Sequence, residues 1–395
     1  MPFIGNKPSA VPLTSADIAD GIITSAKIVD GTIVNADINA SAAIASTKLS
    51  GITSPAGFRN IVINGDMQIA QRATSKANVG FEYATLDRWQ TVNGSLGTWT
   101  QSQSTDVPSG YGFFNSLKMD CTTADASPAS GDEIYIRQLF EGQNLQYLKK
   151  GTANAVSLTA SFWVKSTKTG THILELVDDD NSRSVSKSYT INTTNTWEQK
   201  TVTFPADTTG VFANDNGASL ALNFWIATGS GQSSGTLQTT WGSIVTANRA
   251  VGQVNCADST SNDWLITGVQ LEAGTSATDF EFLPIDVSLA RCQRYYATNN
   301  VGNNLLGCFV FVAASFNTSE AFGGGTFPVF MRTTPTVTVF DDNGTALTAH
   351  RAGGGAISLT SVGLISNTGF SSINSSSAFA ADRQYLLTYR ADAEL

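Results

Sequence analysis

Trp163 and Trp225 stand where strand alternation calls for polar side chains, and an indole face turned to water is a surface on which a sugar ring stacks. In Val156–Lys165, VSLTASFWVK, the apolar parity runs through Val156, Leu158, Ala160, Phe162 and Val164. Ser157, Thr159, Ser161, Trp163 and Lys165 take the other face. In Ala218–Ala227, ASLALNFWIA, Leu220, Leu222, Phe224 and Ile226 point inward and leave Trp225 on the opposite side. These two tryptophans are the candidate glycan-binding residues. The competing reading, favoured by the close packing of a two-sheet architecture, is that a neighbouring domain or another protomer covers this second face.

Other chemistry-bearing groups read more simply. Asp178, Asp179, Asp180 and Asn181 lie between two expected strands, Asn214–Gly217 precedes a third, and Asp341–Gly344 forms a hairpin tip. Asx and Gly suit such turns because they tolerate positive φ and hydrogen-bond the local backbone. A structural calcium at the first cluster is the alternative, although the EF-hand ligand spacing is absent. His172 and His350 are the only histidines and form no H-x-x-x-H pair, and no G-x-S-x-G elbow occurs. The glycine runs at Gly323–Gly325 and Gly353–Gly355 lack a following Lys-Ser/Thr and are no phosphate cradle. No catalytic, cofactor or metal residue is assigned, and the chain is expected not to be an enzyme.

The elements that must position these groups are strands. Among 395 residues only 14% are charged, while 35 are glycine, a β-rich composition with a nearly neutral surface. The formal net charge of -9 repels phosphate backbones and argues against nucleic acid as a partner. The opening MPFIGNKP lacks the apolar core of a signal peptide, and no window is apolar enough to span a membrane. Cys121, Cys256, Cys292 and Cys308 lie far apart in strand-like surroundings and read as buried thiols.

Residues 13 to 42 fall into three ten-residue lines, LTSADIADGI, ITSAKIVDGT and IVNADINASA. Leu13, Ile18, Ile23, Ile28, Ile33 and Ile38 recur every five residues. That period matches neither a helix nor a strand, so one chain cannot gather these aliphatics on one face. Each unit carries one large apolar side chain, and winding several chains together buries such a seam. The spacing predicts a thin, intertwined trimeric shaft, ending at the GITSPAG punctuation near residue 57.

Beyond it, Thr171–Val177, Ser184–Ile191 and Glu198–Phe204 read as further strands, and strands without intervening helices imply an antiparallel sandwich or jelly roll over 58–284. Residues 285–395 repeat the pattern through Cys308–Ala314, Thr336–Phe340 and Gln384–Arg390, giving a second, smaller β-sandwich. The expected fold is mainly β: a repeat shaft over 1–57, a jelly-roll domain and a C-terminal sandwich.

Several stretches resemble known families. VSLTASFWVKSTKTGTHILEL, followed by NTTNTWEQKTVTF around Trp197, resembles jelly-roll carbohydrate-binding modules. FRNIVINGDMQIAQRA at 58–73, TLDRW at 85–89, WLITGVQLEAGTSATDFEF at 264–282 and CQRYY at 292–296 resemble the central domain of phage tail-fibre proteins. The N-terminal repeat and the ending ADAEL are similar to tail fibres too. TFPVFMRTTPTVTVFDDNG at 326–344 resembles their distal domain, with Met331-Arg332 and Pro335 as its signature. The resemblance implies a virion protein made in the host cytoplasm, a homotrimer docked on tail or baseplate proteins through its N-terminus and adhering to a host surface glycan. Arg332 is expected to pair structurally with a carboxylate. The loops at 353–355 and 366–378 are expected to meet the receptor. Two alternatives stay open: a purely structural tail or baseplate component, and a glycan-depolymerising tailspike.

Overall fold

The structure is a computed structural model, and it describes residues 23–29, 32–33, 37, 59–299, 311–341, 343–351, 354–376, 378–380 and 383–395. Residues 1–54 and 55–395 are separate compact units. In the first, Ser25–Lys27 forms a 3-10 turn, and Ile23, Ile28 and Ile33, three members of the five-residue series, are exposed. The rest of the expected shaft, with Leu13, Ile18 and Ile38, lies outside the described residues, as does Cys308.

Twelve antiparallel strands build the sandwich that follows Arg59: β1 (Ser75–Lys76), β2 (Gln90–Gly94), β3 (Thr98–Ser104), β4 (Ser116–Thr123), β5 (Glu133–Glu141), β6 (Leu158–Ser166), β7 (Gly170–Asp178), β8 (Arg183–Ile191), β9 (Glu198–Phe204), β10 (Ala218–Thr228), β11 (Gly242–Ser243) and β12 (Asp263–Ala273). One sheet runs β1-β3-β4-β12-β6-β9 and the other β11-β8-β7-β10-β5-β2, a jelly-roll-type sandwich. Alternation decides which side chains fill the space between them. Leu158, Ala160, Phe162 and Val164 from β6 meet Leu220, Leu222, Phe224 and Ile226 from β10 in one core. Phe162 packs edge-on against Phe224, with ring centroids 5.1 Å apart. Each such buried aromatic contributes about 1.5–3 kcal/mol.

After a helix at Ile285–Gln293 the described residues form nine strands: β13 (Tyr296–Thr298), β14 (Phe311–Ser315), β15 (Glu320–Thr326), β16 (Thr336–Phe340), β17 (Thr348–Arg351), β18 (Ala356–Ser358), β19 (Ser361–Gly363), β20 (Gly369–Asn374) and β21 (Gln384–Asp392). All nine are hydrogen-bonded into one network rather than two separate sheets. The reason is the length of β21: its first half pairs with β14 and β17, its second half with β13 and β16. Tyr385, Leu387 and Tyr389 therefore stay on one side and anchor the second core.

The last residues of the chain tie this sheet to the sandwich. Glu394 pairs with Arg88, whose guanidinium is fully buried and stacks 3.5 Å over Tyr295. Arg332 is structural, but its partners are not the expected carboxylate. It donates to the backbone oxygens of Asn216 at 2.7 Å, Ala393 at 2.8 Å and Glu394 at 3.0 Å, because those carbonyls lie at strand ends without ladder partners. Among the described residues no helix is long and apolar enough to cross a membrane.

Candidate functional site: the outer face of the first sheet

Trp163 stands on β6 between Gln199 on β9 and Thr267 on β12, turned away from the core as its parity requires. It is half-buried, and what covers part of it is Tyr111, whose ring centre lies 4.2 Å away at 47°. Tyr111 itself is 54% exposed. It rides on the loop between β3 and β4, residues 105–115.

The fold holds that loop at both ends. Ser116 Oγ donates to the Asp106 carbonyl at 2.6 Å, and Thr267 Oγ1 donates to the Asn115 carbonyl at 2.7 Å. In the middle Phe113 is buried against Phe280 and Phe282, with centroids 5.2 Å apart in each case. Phe113 fits only because β12 bulges at Gly268, where φ is +61° and a Cβ would come 2.5 Å from the Phe113 ring. Residue 268 must therefore be glycine for Tyr111 to be held over Trp163.

Around this aromatic pair lies a ring of polar groups. Trp197 Nε1 donates to Asp106 Oδ1 at 2.9 Å, and Lys165 Nζ reaches Asp106 Oδ2 at 2.5 Å. Partial desolvation of the Asp106 carboxyl is outweighed by these two donors, which hold it below the usual carboxylate range. On the neighbouring strands Lys118 pairs with Asp263 at 2.8 Å and Asp120 at 3.4 Å. Three aromatic rings beside charged donors and acceptors offer what a saccharide presents in complement: apolar C–H faces and a rim of hydroxyls.

Trp225 is a different case. The structure corrects the expectation of an exposed platform there, because its side chain is fully buried on the outer side of the second sheet. The cover comes from the same domain, from the segment after β10, with Leu237 and Ala250 packed on the ring. Trp225 Nε1 donates to Glu175 at 3.1 Å. Glu175 also accepts both prongs of Arg249, at 2.8 and 2.9 Å, and the guanidinium lies 5.1 Å over the indole. A closed ion pair and a buried ring leave no face for a ligand.

The acidic clusters are turns, with one addition. At Asp341–Gly344 the Asp341 carboxylate accepts from Asn343 N at 3.0 Å and Thr345 N at 2.8 Å. At the first cluster Asp178 is buried and engaged by Asn181 and by the Lys150 ammonium. That ammonium, itself buried, also lies 3.0 Å from Asp207 and donates to the Gly210 carbonyl at 2.9 Å. A lysine of the chain itself thus sits among the oxygens where a calcium ion was considered. Among the described residues no group of three or more acidic, histidine or cysteine side chains is arranged to hold a metal.

Sequence reading missed Lys150, and nothing in its local spacing could have revealed it. It also placed a loop over 366–378 where 369–374 are strand β20, with Phe370 and Ile373 in the second core. His172 is fully buried and stacked on Tyr189, and desolvation pushes its pKa down to about 4. Cys121, Cys256 and Cys292 are buried free thiols.

No family model matches the chain, and no curated protein matches it either. Solved structures similar to it include the enzymatically active domain of tailspike protein 4 from bacteriophage CBA120. That alignment has 16% identity and a TM-score of 0.29, over 55% of this chain and only 22% of that one. A family 11 carbohydrate-binding module from Clostridium thermocellum is 12% identical over 51% of this chain and 98% of its own, at a TM-score of 0.25. The N-terminal cellulose-binding domain of Cellulomonas fimi β-1,4-glucanase C is 12% identical over 53% and 100%, at 0.26.

Proposed function

We propose that this chain is a subunit of a phage tail fibre that trimerises through its N-terminal repeat and adheres to a glycan of the bacterial surface, binding rather than cleaving it. The observation that carries the glycan half is the open face of the first sheet, where Tyr111, Trp163 and Trp197 are fixed beside Asp106, Lys165 and Lys118. The tail-fibre half is supported by the segments at 58–73, 264–282 and 326–344 and by the five-residue repeat. Ile23, Ile28 and Ile33 are exposed in a single chain, which is what a seam shared between copies requires. Weak contacts at each site then add through avidity.

Binding of the intact protein to arrayed bacterial surface polysaccharides tests the adhesive role. The Trp163→Ala and Tyr111→Ala variants should each lose about tenfold or more in affinity while keeping the wild-type mass in solution. Unchanged binding in both variants would remove the site. A monomeric mass for the intact chain would remove the trimer, and antibody labelling that places the C-terminal sheet against the baseplate would favour a structural tail component.

A further inference from the structure

A cleft of about 730 Å³ opens between the segment around Arg72 and the outer face of the C-terminal sheet, and Trp163 is not among the residues that line it. Its size falls within the ~300–1,000 Å³ of small-ligand sites. Strand register sets its floor. Thr338 lies opposite Arg390 and Thr336 opposite Asp392, so β16 and β21 present these four side chains on one surface.

Most charges here are already committed. Arg72 lies 3.1 Å from Asp392 and 3.3 Å from Glu394 and stacks 3.7 Å over Tyr296. Lys76 pairs with Glu82. Arg390 is the exception: it is exposed, rests 4.6 Å over the Phe340 ring, and makes no ion pair among the described residues. The hydroxyls of Thr336 and Thr338 likewise make no hydrogen bond among the described residues, although both line the cleft.

We infer that this cleft is a second saccharide site, selective for a sugar that carries a carboxylate. A planar guanidinium held by an aromatic ring presents two parallel donors to a carboxylate, and the threonine hydroxyls reach neighbouring sugar hydroxyls. One uncommitted guanidinium balances one negative charge. A phosphate monoester, with nearly two charges and three acceptor oxygens, needs more donors than the cleft leaves unengaged. The site is independent of the aromatic face on the first sheet, so the two can fail separately.

Titration calorimetry of the full chain with short oligomers of galacturonate, mannuronate and sialic acid tests this, with a neutral oligogalactoside as control. At least one acidic oligomer should bind, more weakly as salt rises, and the neutral one should not. Arg390→Gln should weaken that binding by about tenfold or more and Thr338→Val by a smaller factor. Absence of binding by all three acids, equal binding of the neutral oligomer, or indifference to both Arg390→Gln and Thr338→Val would overturn the inference. Thr338→Val keeps the test open should Arg390→Gln fail to fold.

Discussion

Trp163 and Trp225 occupy equivalent places in the sequence pattern and opposite places in the molecule. Each interrupts the polar side of an alternating strand, one on the first sheet and one on the second. Trp163 remains at the surface with Tyr111 against it, whereas Trp225 is sealed under the segment that follows its own strand. Parity along a strand determines which sheet face a side chain occupies. Whether that face meets water is determined by chain that returns from elsewhere, here from residues 229–257.

The largest expected difference between the two is in stability. Trp225→Ala removes a buried ring and strips Glu175 and Arg249 of their cover, so it should cost about 3–5 kcal/mol. Trp163→Ala, on a half-open surface, should cost about 1 kcal/mol while removing glycan binding. Urea unfolding of both variants measures the contrast, and equal costs would mean the two faces are alike. Lys150→Met leaves Asp178 and Asp207 without their ammonium in a buried setting and should cost about 3 kcal/mol or more by the same measurement.

The covered sheet should also respond to pH, through a buried histidine. Burial depresses His172 to about 4 from an ordinary 6.5, so the folded state resists protonating it. Its contribution is fully present above pH 6.5 and is lost as pH falls towards 4, amounting to about 3 kcal/mol. Asp87 runs the other way: desolvation raises it to about 6, and its contribution is present below pH 3.8 and lost as pH rises through 6. The two windows overlap, so wild-type stability alone hides both. The difference between wild type and His172→Gln isolates the histidine, and it should widen in favour of the wild type as pH rises from 4 to 6.5.

How far the sequence carries can be followed on single strands. Glu198–Phe204 and Thr336–Phe340 are strands with the expected bounds, and the inward sets of β6 and β10 form the core as alternation implies. Those readings rest on local periodicity. The readings that differ rest on contacts distant in the chain. Tyr111 reaches Trp163 across 52 positions because Gly268 makes room for Phe113, and no pattern near either aromatic records it. Lys150 finds Asp207 for the same kind of reason. The 366–378 stretch looked like a loop because its serines and asparagines mask the two side chains, Phe370 and Ile373, that the second core takes from β20.

The smallest expected effect on stability is the sharpest on the open face. Asp106 lies on the surface, with its side chain 44% exposed, so its ion pair with Lys165 is worth less than about 1 kcal/mol. Asp106→Asn keeps an acceptor for one of its two donors but removes the charge that aligns Lys165 and Trp197 together. Unfolding should hardly change, because solvent replaces what is lost. Glycan affinity should fall several-fold, because Trp197 and Lys165 then sample orientations from which a bound sugar must recover them. If affinity stays at the wild-type value, the polar ring does not organise the site, and Trp163 and Tyr111 alone carry the binding that separates this face from the covered one.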